Sequence, residues 1–198
     1  MNLKYPKLWL KVASSHASVL LPFCRRGIHM RVKEGSFLGD FLLEIGFPDE
    51  YIEKRVQTIF LDGKTIDDPR TEVLRPGAAI ALSAALPGLA GAMFRRKSPV
   101  SALRTRTADL AEHLGDEGGS GFVLLKLFNL VAEEMGPLLM QKGIFIRGRD
   151  LAEEFTRRWD VLAETVSEAR LDGEPIELAS LRNPGLTESE YIRLIVSP

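Results

Sequence analysis

The side chains best suited to metal binding are few in this sequence and widely separated. His16, His29 and His113 are the only histidines, and they lie in three different stretches of the chain. A helical zinc site needs two histidines four residues apart, or histidine and cysteine at a fixed spacing, and neither pattern occurs. The sequence therefore predicts no metal site, and it predicts surface or strand-face positions for the histidines.

Cys24 is the only cysteine, which excludes an intramolecular disulfide and a cysteine-based metal cluster. The neighbouring Arg25 and Arg26 are cations that could lower the pKa of its thiol and so make it more nucleophilic. No plausible base lies nearby in the sequence. We therefore expect a buried or neutral thiol and no nucleophile at this position.

The carboxylates and glycines also lack the arrangement of a catalytic site. Paired acids are expected on solvated helix faces and clustered aspartates in turns: Glu133-Glu134, Glu153-Glu154, Asp62, Asp67 and Asp68. The glycine-rich stretch Gly115–Gly121 lacks the Lys-Ser/Thr of a phosphate-binding loop, so it is interpreted as a linker. The sequence predicts no catalytic residue and no cofactor.

The basic segment Phe94–Arg106 contains Arg95, Arg96, Lys97, Arg104 and Arg106 and no acidic residue. Such a segment could contact nucleic-acid phosphates or an acidic partner, with affinity that falls steeply as salt increases. It lacks the interleaved aromatic residues that sites for single strands use. The alternative is a solvated linker or a strap that docks between domains.

These residues are organised around the hairpin and closing strand in Thr58–Ala84. Asp62-Gly63 between apolar runs predicts a tight β-hairpin, because a type I′ turn needs two residues that tolerate positive φ. Pro76-Gly77 predicts a type II turn. A closing strand follows at Ala79–Leu82.

The preceding residues predict two strands and a helix. The strands are expected at Leu8–Val12 and Ile28–Val32. Ser36 is a suitable cap for a helix that runs to Ile45 and ends at Gly46. The predicted buried stripe of that helix is Phe37, Leu38, Phe41, Leu42 and Ile45.

The second half of the chain contains a weak repeat of the first. Gly143-Ile144-x-x-Arg147 matches Gly27-Ile28-x-x-Arg31, and Leu171-Asp172-Gly173 matches Leu61-Asp62-Gly63. The segment Tyr191–Val196 alternates as a second closing strand does. The repeat predicts the same order of elements twice.

Two segments of the second half have residue patterns compatible with helices. A helix is expected to begin at Asp150 with Glu153 in a capping-box arrangement. Phe122–Met135 is compatible with one long strand or with a strand that passes into a helix. The apolar stripe of the helix that starts at Asp150 is Leu151, Phe155, Trp159, Leu162 and Val166.

Residues 8–92 resemble a known family. The order strand, strand, helix, followed by FLDGKTIDD and LRPGAAIALSAALPGLAGA, is similar to the β-grasp, ubiquitin-like sulfur carriers of molybdopterin and thiamine synthesis. The resemblance implies a helix packed across a mixed sheet whose first and last strands are central neighbours. The family's tail ends in Gly-Gly with a reactive carboxylate, whereas Pro87–Ala92 has no such end and more than a hundred residues follow it.

Together the repeat and the resemblance predict an α+β protein of two tandem β-grasp domains. The expected boundaries are a first domain at 1–92, a basic and then glycine-rich linker at 93–121, and a second domain at 122–198. Each domain would have a mixed sheet with one helix across it.

Composition limits the choice of partners. The 198 residues are 45% hydrophobic and 27% charged, with a net charge of −1, so overall charge favours neither nucleic acid nor membrane. No apolar run approaches the roughly 20 residues of a membrane span. Lysines interrupt the apolar residues at the N-terminus, which is atypical of a signal peptide. The expected location is the cytoplasm.

The predicted function is that of a non-enzymatic protein-interaction module. Its expected binding residues are Pro87, Gly88, Gly91, Arg95, Arg96 and Lys97. One alternative is a sulfur or protein-conjugation carrier produced by cleavage near Gly91. A second alternative is a nucleic-acid accessory protein that uses the basic linker.

Overall fold

The computed structural model describes residues 5–13, 18–84, 94–96, 119–183 and 190–198. The strands in these residues are β1 (Lys7–Val12), β2 (Ile28–Lys33), β3 (Thr58–Leu61), β4 (Lys64–Thr65), β5 (Ala79–Ser83), β6 (Ser120–Phe128), β7 (Ile144–Arg147), β8 (Val166–Leu171), β9 (Glu174–Pro175) and β10 (Tyr191–Ser197). The helices are α1 (Leu21–Arg26), α2 (Leu38–Ile45), α3 (Asp49–Lys54), α4 (Asn129–Lys142), α5 (Gly148–Arg157) and α6 (Trp159–Thr165), with a 3₁₀ helix at Leu178–Arg182.

The chain divides into two compact units. The central unit contains residues 24–135, and the terminal unit contains residues 1–23 together with 136–198. These units do not coincide with the contiguous segments 1–92 and 122–198 that the sequence suggested.

The strands of the central unit have the order β4-β3-β5-β6-β2. Strands β5 and β6 are parallel, whereas β3–β4, β3–β5 and β2–β6 are antiparallel. Alternate residues of β6, namely Val123, Leu125 and Leu127, are fully buried, as the period of two along a strand requires. The core is completed by α2, which buries Phe41 and Leu42. Each such side chain contributes about 1.5–3 kcal/mol of burial free energy.

The strands of the terminal unit have the order β7-β10-β1-β8-β9. Here β1 and β10 are the parallel pair, and β7–β10, β1–β8 and β8–β9 are antiparallel. Leu8 and Leu10 of β1 are fully buried, and so is Leu194 of β10. The N-terminal strand therefore lies in the middle of this set of strands.

The two units share the same local turn structure, which confirms both predicted hairpins. Asp62 and Asp172 have φ of 49° and 51°, as a type I′ turn requires. Asp62 Oδ1 accepts a hydrogen bond from the Ala79 amide at 2.8 Å, and Asp172 Oδ1 accepts one from the Lys7 amide at 2.9 Å. Strand β1 therefore occupies in the terminal unit the position that β5 occupies in the central unit.

The prediction of two tandem β-grasp domains is wrong. It required β1 to lie beside β2 and β5, and β6 to lie beside β7 and β10. Instead β6 pairs with β2 and β5, and β1 pairs with β10 and β8. The first half of the chain supplies β1 to the terminal unit, and the second half supplies β6 to the central unit. Parallel neighbouring strands are joined by long connections and not by tight turns. The turn residues therefore did not indicate which strands pair in parallel.

The helices confirm some predictions and correct others. Helix α2 ends as expected at Gly46, whose φ is 114°, and Leu38, Phe41, Leu42 and Ile45 are buried. Its N-cap is Phe37, so the predicted Ser36 cap is wrong, and Phe37 itself is exposed. A strand, β6, passes into a helix, α4, which decides between the two alternatives for that segment.

The helix expected from Asp150 is also corrected. Arg147 is the N-cap of α5, so Asp150 does not cap it. The helix is interrupted at Arg158, where φ and ψ are −121° and 29°, and α6 begins at the next residue. Helix α3 is not among the elements predicted from the sequence. In the described part of the chain, no helix has the length and apolar character needed to cross a membrane.

Candidate functional site

The C-terminal end of α3 and the residues that follow it form an acceptor site on the central unit. Helix α3 ends at Lys54 with Arg55 as its C-cap, and a helix leaves its last carbonyl groups without partners inside the helix. The acceptor groove, as we define it, comprises Ile52, Val56, Gln57, Phe60 and Asp67. The segment Phe94–Arg96 lies against this groove.

Arg96 is the centre of the contact. Its Nη1 donates to the carbonyl oxygens of Ile52 at 2.9 Å and Val56 at 3.3 Å. Its Nε donates to the carbonyl oxygen of Asp67 at 3.1 Å. Its backbone amide donates to the carbonyl oxygen of Gln57 at 2.8 Å. One side chain thus satisfies three backbone acceptors from two separate stretches of the unit.

The electrostatics of the groove favour a cation. Burial lowers the pKa of Arg96, and the negative charges of Asp68, Glu53 and Asp67 act in the opposite direction. A guanidinium remains charged in proteins because its reference pKa is above 12. The partly buried charge of Arg96 is therefore compensated by carboxylates and by carbonyl dipoles.

The two residues before Arg96 also have partners in the groove. Arg95 donates from Nε and Nη2 to Oε1 of Gln57, at 3.1 and 2.8 Å. The Phe94 ring lies 5.6 Å from the Phe60 ring, centroid to centroid, with a tilt of 57°. Three consecutive residues therefore contact three different features of the groove.

An open cleft of about 350 Å³ lies beside this contact. It is lined by Glu53, Lys54, Val56, Gln57, Arg95 and Arg96. Its polar lining suits hydrogen bonds and ion pairs with a peptide. None of the described residues that line it has a thiol, hydroxyl or imidazole side chain.

A polar network connects α3 with the N-terminal part of α4. The Tyr51 hydroxyl donates to Oε2 of Glu134 at 2.7 Å, and Arg55 pairs with the other carboxylate oxygen. The hydrogen bond from Tyr51, assisted by Arg55, lowers the pKa of Glu134. Burial, together with the Glu134 carboxylate, raises the pKa of Tyr51. Glu134 is therefore hydrogen-bonded at a partly exposed position, and the neighbouring Glu133 is exposed, as expected for a solvated helix face.

Cys24 and His29 lie in the interior of the protein. Burial raises the pKa of the Cys24 thiol to about 12, which confirms the prediction of a buried, neutral thiol. His29 lies on strand β2, one of the two positions expected for the histidines, where it is 5% exposed and its ring lies 6.4 Å from the Phe122 ring. His16 and His113 lie outside the described residues.

The predicted site residues have different outcomes. Arg95 and Arg96 lie on the acceptor groove, whereas Pro87, Gly88, Gly91 and Lys97 lie outside the described residues. Within the described residues, no group of three or more His, Cys, Asp or Glu side chains could hold a metal ion.

The acceptor half of the site was missed at the sequence level. Its main acceptors are backbone carbonyls of Ile52, Val56 and Asp67, and a backbone carbonyl has no signature in the residue types. The side chains of Gln57 and Phe60 are ordinary in their context. Only the preference of arginine for helix C-termini could have pointed to this region.

Comparisons of the chain with models of known protein families, with curated proteins and with solved structures gave no match.

Proposed function

We propose that the protein is a non-enzymatic protein-interaction module of the cytoplasm and that the acceptor groove of the central unit is its partner-binding surface. The observation that carries this proposal is the contact of Phe94–Arg96 with the groove. Three consecutive residues are held by backbone carbonyls, an amide side chain and an aromatic ring. Peptide recognition uses this combination of main-chain and side-chain contacts.

The edge strands β4 and β9 are poorly suited to binding a partner by strand addition, which favours the acceptor groove as the binding surface. Strand β4 has two residues, and β9 has two residues of which one is Pro175. Strand addition needs a row of free amide and carbonyl groups along an edge, and short strands or proline remove it. A partner peptide therefore has little to pair with at β4 or β9.

A site-specific cross-link tests this proposal. A photoreactive amino acid placed at Lys54, which lines the cleft, should capture one partner at fixed stoichiometry in cells of the native host. The same amino acid at the exposed Glu174 is the matched control. Replacement of Phe60 by alanine should abolish the adduct at Lys54. Equal labelling at both positions, or an adduct insensitive to the Phe60 change, would contradict the proposal.

The two alternative functions remain predictions. A carrier produced by cleavage near Gly91 would be detected by intact mass from native cells. A nucleic-acid accessory role is less favoured, because Arg95 and Arg96 already donate hydrogen bonds to acceptors of the central unit. Reversal of the charges of Arg95, Arg96 and Lys97 should reduce retention on nucleic acid if that role is correct.

A further inference from the structure

We infer that the acceptor groove recognises an arginine that follows an aromatic residue in a partner's peptide, and that the chain's own Phe94–Arg96 segment competes with that peptide by filling the groove. This inference rests on the proposed function and names its partner class.

The acceptors select arginine over lysine. Ile52 and Val56 present carbonyl oxygens to one nitrogen of Arg96, and Asp67 presents a third carbonyl oxygen to another. A guanidinium has five donors in a rigid planar fork, so it can donate to several fixed carbonyls at once. A lysine ammonium is a compact point charge and cannot span the same set of acceptors.

The charge of the groove favours a cationic occupant. Glu53, Asp67 and Asp68 lie close enough to Arg96 to favour its charged form, while Arg70 opposes them. Without Arg96, the three carbonyl oxygens would lose this donor at a partly buried position close to the carboxylates. Buried polar groups without partners are costly, so the groove without Arg96 would favour another guanidinium.

The spacing of the contacts defines the peptide. Phe60 packs against the residue two positions before the partly buried arginine, and Gln57 accepts from the residue between them. The middle residue is exposed, so a polar residue other than arginine fits there as well. The recognised pattern is therefore an aromatic residue, one polar residue and then arginine.

Occupation by the chain's own segment makes binding conditional. When only a fraction of the protein is in the binding-competent state, the apparent Kd of a ligand is its intrinsic Kd divided by that fraction. The Phe94–Arg96 segment belongs to the same chain, so its effective concentration at the groove is high. A partner peptide must displace it, and release of the segment would increase affinity for the partner.

A peptide titration tests the inference. The probe is a fluorescein-labelled peptide with the sequence of residues 91–98, titrated by anisotropy into the full-length protein and into a Phe94→Ala/Arg96→Ala variant. We expect the variant to bind at least about tenfold more tightly than the unchanged protein, because its groove is vacated. A matched peptide with lysine at both arginine positions should bind the variant at least about tenfold more weakly, because the fork of donors is lost.

Thermal melting of each variant accompanies the titration. If the double variant does not fold, Arg96→Gln serves instead, since it keeps the ring contact of Phe94 and removes the guanidinium. Equal affinity of the unchanged and folded variant proteins, or equal affinity for the arginine and lysine peptides, would overturn the inference. So would a dimer of the unchanged protein in sedimentation that disappears in the variant, because the occupant would then be a second copy.

The outcome is separable from that of the proposed function. A partner cross-linked at Lys54 that persists while the peptide fails to bind would refute the inference and leave the interaction module standing. A peptide that binds as expected while Lys54 captures no partner would refute the proposed function alone.

Discussion

Arg96 and Arg158 show how single arginines hold separate stretches of one unit together. In the terminal unit, Arg158 Nη1 donates to the carbonyl oxygen of Val19 at 2.5 Å and lies 3.5 Å from Oε1 of Glu154. Glu154 is 1% exposed and also pairs with Arg157. A charge buried to this degree depends on its partners, because a carboxylate taken out of water is costly unless it is paired.

The Arg158→Ala substitution should therefore destabilise the protein strongly. It removes one partner of the buried Glu154 and the donor to Val19, which should lower the free energy of unfolding by about 3 kcal/mol. Arg149→Ala is the matched control, since the Arg149 side chain is 75% exposed and should change stability by less than about 0.5 kcal/mol. Urea denaturation of both variants measures the difference, and equal midpoints would exclude this account of Arg158.

Cys24 should react slowly with alkylating reagents. Its thiol is buried and its pKa is raised to about 12, so little thiolate exists at pH 8. We expect native labelling by iodoacetamide at pH 8 to be at least about tenfold slower than labelling of the unfolded chain, because the thiolate is the reactive form. Mass spectrometry over time gives both rates. Labelling at the rate of a free thiol would show that the interior position is wrong.

At the scale of elements, turn residues specify the hairpins and also bond each hairpin to a third strand of its unit. Each hairpin aspartate has positive φ, and each accepts a hydrogen bond from the first amide of a strand elsewhere in its unit. The turn prediction from Asp62-Gly63 and Asp172-Gly173 was therefore correct at the level of backbone geometry. The strand that each aspartate contacts was not predictable from the turn, because β1 precedes its hairpin by more than 150 residues whereas β5 follows its own closely.

Substitution of Asp62 separates these two contributions. Asp62→Ala loses the hydrogen bond to the Ala79 amide. It also places alanine, which has no side-chain oxygen to bond locally, at positive φ. Together these effects should lower the free energy of unfolding by about 2 kcal/mol. Asp62→Asn keeps both the tolerance of positive φ and an acceptor oxygen, and should cost less than about 1 kcal/mol. Thermal denaturation of the two variants provides the comparison. A loss of the same size in both would argue against a role for the accepting oxygen.

At the scale of the whole molecule, the ends of the chain contribute to one unit and its middle forms the other. The central unit contains β2 to β6, all from residues 24–135. The terminal unit needs β1, which lies between β10 and β8 and buries Leu8 and Leu10. Any fragment that lacks the N-terminal strand therefore lacks the middle strand of the terminal unit.

Fragments of the chain should fold according to these units. The fragment 24–135 has all the strands of the central unit and should unfold cooperatively in urea. The fragment 122–198 corresponds to the second domain expected from the sequence, but it lacks β1 and should show no cooperative transition. Circular dichroism and one-dimensional NMR distinguish the two. A well-folded 122–198 fragment would contradict the assignment of β1 to the terminal unit.

The sequence by itself determined the local structure of this protein. The two hairpin turns, the end of α2 at Gly46, the strands β1, β2, β5 and β10 and the buried thiol all follow from residue types at short spacing. These features depend on φ preferences, period and apolar burial, which act over a few residues. Of the candidate site, the sequence indicated Arg95 and Arg96 and nothing of the groove they contact.

Only the tertiary structure decided which strands are neighbours and where the basic segment binds. Parallel strands have no tight turn between them, so β6 joins β5 and β1 joins β10 through contacts that no local pattern encodes. The groove for Arg96 consists of backbone carbonyls that become acceptors only when α3 ends beside the loop at Asp67. Backbone acceptors are the same in every residue type, which is why the sequence alone could not indicate this place.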